Sequence, residues 1–127
     1  MAILRQALDK LDLVNLHATA ARTATGNATG VDVQAYDGDI VLVLDSAAGT
    51  GTTPTLDVKI QSADTLGGTY GDITGATFTQ VTTSASQQKL VISKDEAKRF
   101  LRVVYTVGGS TPSFTFSVNG VGAKKYG

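Results

Sequence analysis

The sequence predicts an all-β protein: an antiparallel β-sandwich, jelly-roll-like, with an N-terminal arm or short helix in front of it. Three observations predict it. Short runs alternate apolar and polar residues, as in "TLDVKIQS", "FLRVVYTV" and "SFTFSVNGV", and a period of two is that of a strand with one buried face. Glycine, proline and Asp-Gly signals separate those runs, as they do in sandwiches built from short strands. Thr, Ser, Gly and Ala stand where charge is usual, since Asp, Glu, Lys and Arg make up 17% of the chain against about 25% in ordinary soluble domains. A chain of 127 residues suffices for one domain with a real core. The boundaries read as 1–30 for the arm, a short helix and then an extended linker, and 31–127 for the sandwich.

Taken in order, residues 1 to about 13 carry Ile3, Leu4, Ala7, Leu8 and Leu11 at three- and four-residue spacing, the period of a short amphipathic helix. "NLHATAARTATGNATG" (15–30) has apolar side chains too small for a core stripe and ends in glycine, so it reads as the extended part of the arm. "VDVQAY" and "DIVLVLD" flank Asp37-Gly38, a dipeptide of two-residue hairpin turns, and are expected to pair. "IVLVL" is apolar at consecutive positions, which predicts a strand covered on both faces. "SAAGTGTTPT" (46–55) reads as a loop. "TLDVKIQS" then sets Leu56, Val58 and Ile60 against Asp57, Lys59 and Gln61, a half-buried strand.

The glycines at 67, 68 and 71 mark the connection leaving that strand, with "TFTQV" and "QKLVIS" resuming β-favouring residues. "KDEAKRF" (94–100) reads as one helical turn in which Ser93 caps and Glu96 completes the capping box. "FLRVVYTV", the turn "GGSTP" and "SFTFSVNGV" close the set, Tyr105 in step with Leu101 and Val103 as core. Seven or eight short strands are expected.

Charge and cysteine content exclude several classes of function. Formal net charge is zero, which gives no long-range attraction to nucleic acid or an anionic membrane, and makes association with other protein easier. With no cysteine there is no disulfide framework and no thiolate metal site. No window approaches the ~20 apolar residues of a membrane span. Arg5, Asp9, Lys10 and Asp12 interrupt what a secretory signal would need as an apolar core, so the chain is expected to be an untargeted, initially cytosolic product.

Candidate chemistry is sparse. His17 is the single histidine, which removes a multi-histidine zinc site within one chain. The carboxylate pairs Asp37 with Asp39, Asp64 with Asp72, and Asp95 with Glu96 are the groups from which acid–base catalysis could be built, yet each sits where turns and caps favour acidic residues. "YDGD" and "SADTLGGTYGD" mix carboxylates with glycines but lack the EF-hand spacing. No glycine motif of the phosphate-binding kind enters a helix. Tyr36, Tyr70 or Tyr105 would have to line a groove if the sandwich bound glycans. The reading is therefore non-enzymatic, with no cofactor and no metal.

"VDVQAYDGDIVLVLDSA", "LDVKIQSADTLGGTYGDITGATFTQV" and "KRFLRVVYTVGG" together resemble small virion proteins of tailed bacteriophages, of the head decoration or cement type, over about residues 31–121. The resemblance implies a protein on the outer surface of the assembled capsid that bridges neighbouring major capsid proteins and stabilises the shell against packaged DNA. It implies a homodimer or homotrimer, with no nucleic-acid or membrane partner. In that setting the arm residues Leu13, Val14, Leu16 and His17 are the expected capsid or intersubunit contacts. A tail, neck or fibre-attached module and a glycan-binding sandwich are the alternatives.

Overall fold

The alternating runs "FLRVVYTV" and "SFTFSVNGV" belong to a single strand, and it organises the molecule. The computed structural model describes residues 11–34, 36–93 and 97–124. Among them lie eight strands, β1 (Leu11–Arg22), β2 (Gly26–Asn27), β3 (Val31–Asp32), β4 (Tyr36–Ser46), β5 (Thr50–Ala63), β6 (Gly71–Thr77), β7 (Ser86–Ser93) and β8 (Phe100–Lys124). One flank of β8 is lined antiparallel by β1 from Leu11↔Ala123 to Arg22↔Phe114, then by β2 at Gly26↔Tyr105 and β3 at Val31↔Leu101. The other flank is lined by β4 from Tyr36↔Lys124 to Ser46↔Phe116 and by β5 from Thr50↔Ser113 to Ala63↔Phe100. The chain thus makes a long three-stranded antiparallel ribbon folded in half.

Folding the ribbon produces the two layers. The first sheet runs β1-β8-β4-β7, using the C-terminal half of β8; the second runs β2/β3-β8-β5-β6, using the N-terminal half. Strands that pass from one layer to the other do so through bulges, and here they are visible as register drift: Thr50↔Ser113, Thr52↔Ser110, Thr55↔Gly108. Two matching tetrapeptides meet at this fold line, Gly51-Thr52-Thr53-Pro54 and Gly109-Ser110-Thr111-Pro112. Gly51 and Gly109 have φ of 107° and 108°, in the region only glycine enters freely. A Cβ on Gly51 would lie 2.5 Å from the Thr111 oxygen and one on Gly109 2.7 Å from the Thr53 oxygen. The two backbones therefore cross at a distance no other residue permits. Thr53 and Thr111 both sit at φ 46°, a costly setting for a β-branched residue, and each is followed by a proline that has no N–H to leave unpaired where the ladder breaks.

Inward residues of both halves of β8 fill the space between the layers. Phe114, Phe116 and Val118 from one half meet Leu101, Val103 and Tyr105 from the other, joined by Leu42 and Leu44 of β4 and by Leu56, Val58 and Ile60 of β5. Tyr105 is core, in step with its neighbours as the alternation predicts. Burying each such side chain is worth roughly 1.5–3 kcal/mol, which is how a chain without disulfides holds two layers together.

Several local expectations are corrected. Residues 11–22 are neither helix nor free linker but the sheet strand β1, because Val14 and Leu16 alternate into the core while small Ala and Thr lie along β8. Residues 1–10, the bulk of the expected helix, are outside the described residues. Asp37-Gly38 forms no hairpin. β3 and β4 pair with opposite ends of β8, in different layers, and β4 carries its irregularity between Asp37↔Ala123 and Val41↔Val121.

The run "IVLVL" is not covered on both faces: Ile40, Leu42 and Leu44 are fully buried, but Val43 is 40% exposed. Residues 50–55 are strand, distorted by the fold line, rather than loop. β6 forms inside the stretch expected as connection, while Phe78 and Val81 dock as single contacts, Val81 exchanging backbone hydrogen bonds with Leu56 at 2.8 and 2.9 Å. Of the expected capped turn, 94–96 are outside the described residues; the Ala97 N–H donates to the Ser93 carbonyl at 3.2 Å.

Candidate functional site

The four residues expected to contact a partner divide sharply. β1 alternates until Asn15↔Asn119, after which the register steps to His17↔Val118. A bulge lets two successive residues point the same way, and Leu16 and His17 both turn inward. Val14, Leu16 and His17 are buried in the chain's own core, while Leu13 is 76% exposed. Only Leu13 of the four faces outward for a neighbour.

His17 is held by ring contacts and one hydrogen bond. Its imidazole stacks on Phe116 with centroids 4.1 Å apart and planes 6° from parallel, and meets Tyr105 edge-on at 5.6 Å. Arg22 Nε donates to His17 Nε2 at 3.0 Å, so Nε2 is an acceptor and the ring proton sits on Nδ1. Burial, and then the Arg22 charge, hold the His17 pKa below its ordinary 6.5. Among the described residues no acceptor meets Nδ1 in hydrogen-bond geometry, although the backbone of Phe116 and of His17 itself offsets part of that lowering. Arg22 in turn lies over the Tyr105 ring, 5.2 Å from its centroid.

Leu13 is one member of a larger feature. On the outer face of the first sheet the register aligns Leu13↔Val121, Val121↔Val41 and Val41↔Val91, an apolar row across all four strands. Leu11 and Val43 widen it. Leu13, Val91, Leu11 and Val43 are the large apolar side chains this sheet exposes, at 76%, 52%, 43% and 40%. Polar residues frame the row: Asn15 and Asn119, joined by a 2.6 Å amide hydrogen bond, with Lys89, Asp39 and Asp45 on exposed positions of β7 and β4. A contiguous apolar patch with a polar frame is a feature of protein contact surfaces.

The outer face of the second sheet is finished otherwise. Arg102 of β8 donates through Nε and Nη2 to Gln61 Oε1 at 3.0 and 2.7 Å, Gln61 Nε2 donates to Asp72 at 2.8 Å, and Lys59 pairs with Asp72 at 3.1 Å. Gln80 reaches Asp57, and Arg99 grips Asp32 through two nitrogens at 3.1 and 2.9 Å. Arg102 also covers the Tyr70 ring at 4.2 Å. The Gln61 hydrogen bond, and then Lys59, hold the Asp72 carboxyl below its usual range, and Asp32 raises Arg99.

Some of the remaining sequence candidates can be placed; Asp39 lies at an exposed position of β4, and the side chain of Asp37 is outside what the structure describes. Asp72 is taken up by Lys59 and Gln61, and Asp64 lies 3.9 Å from Lys98; Asp95 and Glu96 are outside the described residues. Tyr36 and Tyr105 are largely buried, and Tyr70 donates its hydroxyl to the Leu66 carbonyl at 2.9 Å. The residues that sequence reasoning missed are Val41, Val43, Val91 and Val121. The signal for the first three was present in "IVLVL" and "KLVIS": apolar residues at consecutive positions mean an apolar outer face as well as an apolar inner one.

No protein-family model matches the sequence, and no curated protein does. Solved structures share the fold. The VP2 subviral particle of infectious bursal disease virus is similar over 90% of this chain and 32% of that one, at 15% identity and a TM-score of 0.51. The Gx strain of the same virus gives 92% and 32%, at 13% identity and 0.55. YomS, derived from the SPBc2 prophage, matches over 87% of this chain and 94% of its own, at 14% identity and 0.50. This chain thus spans about a third of the viral chains and nearly all of the prophage-derived one.

Proposed function

We propose that this chain is a non-enzymatic structural protein of a tailed-phage virion that docks on the outside of the assembled capsid and stabilises it by bridging neighbouring major capsid proteins. The observation that carries the reading is the contrast between the two outer faces. The second sheet ties its polar groups to one another, as a solvated face does, whereas the first presents the row Leu13, Val121, Val41 and Val91. A flat apolar sheet face suits broad contact with another protein surface rather than capture of a small substrate.

The fold likeness to virus-particle VP2 and to a prophage-derived protein supports the viral setting. Docking would act by mass action. A protein that binds only the assembled lattice stabilises it by RT ln(1 + [L]/Kd), about 2.7 kcal/mol per site at a hundredfold excess over Kd. The test is gold-tagged antibody against this chain on intact particles of the phage that encodes it, viewed by electron microscopy. Dense label over the head is expected. Label confined to the tail, or none on any particle, overturns the proposal.

A further inference from the structure

The folded ribbon leaves the sandwich open along one side. β1 ends the first sheet, β2 and β3 end the second, and among the described residues each pairs with β8 alone. Between these two edges lies a cleft of about 400 Å³, near the small end of the ~300–1,000 Å³ typical of ligand sites. Asn15, His17 and Arg22 line it from β1, Asn27 and Thr29 from the opposite limb, and Tyr105 from β8.

Its electrostatics are one-sided. Among the described residues Arg22 is the single cation in the lining, no carboxylate is there, and Arg22 makes no ion pair. The guanidinium is nevertheless held in place, its Nε tied to His17 and its carbon over the Tyr105 ring. Both contacts leave the Nη donors unused. The side chains of Asn27 and Thr29 likewise make no hydrogen bond with described residues and stand across the cleft. A held guanidinium without a counter-ion, beside polar groups and without a second cation, matches a planar monoanion better than a phosphate dianion.

We propose that this seam binds a carboxylate carried by an extended acidic peptide of a partner protein, with Arg22 reading the carboxylate and His17 acting as the positioning residue that holds Arg22. The peptide part follows from the borders: two strand edges offer backbone groups with which an extended segment can pair. Bulges at Asn15/His17 and His17/Ala20 interrupt the β1 edge, so the pairing is short and the carboxylate sets the register. The assignment does not rest on the virion reading; an acidic segment of any partner would be recognised the same way.

The experiment is a titration of the isotope-labelled full chain with the blocked peptide acetyl-Ala-Glu-Ala-amide and with its Gln counterpart, followed by NMR at the Arg22 Nε–H and the backbone amides of Asn27–Val31. Saturable shifts at both places are expected with the Glu peptide, with about tenfold weaker binding of the Gln peptide, the size of one charge-assisted contact. Arg22→Gln should remove that preference while the rest of the spectrum stays in place. Equal affinity for the two peptides, or shifts that do not saturate at Arg22, would overturn the proposal. Acetate binding as tightly as the Glu peptide would overturn its peptide part.

Discussion

The two outer faces of this sandwich are cut from the same strand and finished in opposite ways. The N-terminal half of β8 sends Arg102 and Thr106 outward, and Arg102 joins the lacing of Gln61, Asp72 and Lys59. The C-terminal half sends Asn119 and Val121 outward, and Val121 joins a row of valine and leucine. Hydrogen bonds among a face's own side chains leave little for a partner to gain, because each would have to be replaced on binding. An apolar face gains about 25 cal/mol for each Å² removed from water. The contrast separates a face whose polar groups are already paired with one another from one that leaves apolar side chains uncovered, something net charge or composition averaged over the chain conceals.

The comparison presumes one core beneath both faces, and the largest expected effect comes from breaking it. Phe116 is 1% exposed and stacks on His17 while meeting Tyr105 edge-on. Phe116→Ala should lower unfolding stability by about 3–5 kcal/mol, read as the shift in urea midpoint, and should compromise both faces together. Next in size are substitutions that separate the faces. Leu13→Asp and Val91→Asp alter side chains that are 76% and 52% exposed, so the thermal midpoint should move little while the proposed capsid binding, measured by co-sedimentation with heads, should weaken about tenfold or more for each, a loss of ~1.4 kcal/mol or more. Lys59→Ala on the other face should leave head binding unchanged. Equal losses from Val91→Asp and Lys59→Ala would erase the distinction between the faces.

The sandwich was legible in the sequence because period two and turn residues act locally. The alternations through Leu56, Val58 and Ile60 and through Leu101, Val103 and Tyr105 place core residues without any knowledge of the partner strand. What was not legible depended on non-local pairing. Asp37-Gly38 has hairpin chemistry, but β3 and β4 are drawn to opposite ends of β8, and a dipeptide cannot report a strand more than sixty residues away. The fold line is a similar case. Gly51-Thr52-Thr53-Pro54 and Gly109-Ser110-Thr111-Pro112 look like two independent turns, yet each requires glycine because the other's backbone lies against it.

The candidate contacts followed the same rule. Leu13, Val14, Leu16 and His17 are expected contacts as residues of an arm, but Val14 and Leu16 alternate into the core and the bulge after Asn15 sends His17 inward beside Leu16. No local signal marks that step. The valine row could have been found, since consecutive apolar positions in "IVLVL" and "KLVIS" already place valines on the side away from the core.

Acidification sharpens the comparison by testing the two halves in different windows. His17 in the first sheet has its folded pKa held below 6.5, so between 6.5 and that lower value the unfolded chain binds more protons and stability falls as pH falls. His17→Phe keeps the stack on Phe116 and should flatten the decline of the urea midpoint from pH 7 to 5. The smallest effect belongs to Asp72 on the second sheet, whose folded pKa is held below 3.8 by Gln61 and then Lys59. Its contribution is present above 3.8 and is lost as pH falls through the lower folded value. Asp72→Asn should therefore lower the urea midpoint slightly at pH 7 and by progressively less as the pH is lowered below 3.8, and raising salt should shrink the difference at pH 7, because the group is exposed and screened. A deficit that did not shrink on acidification below pH 3.8 would mean that Asp72 supports the second sheet through packing rather than charge, and the polar lacing of that face would then have to be credited to the hydrogen bonds of Gln61 and Arg102 alone.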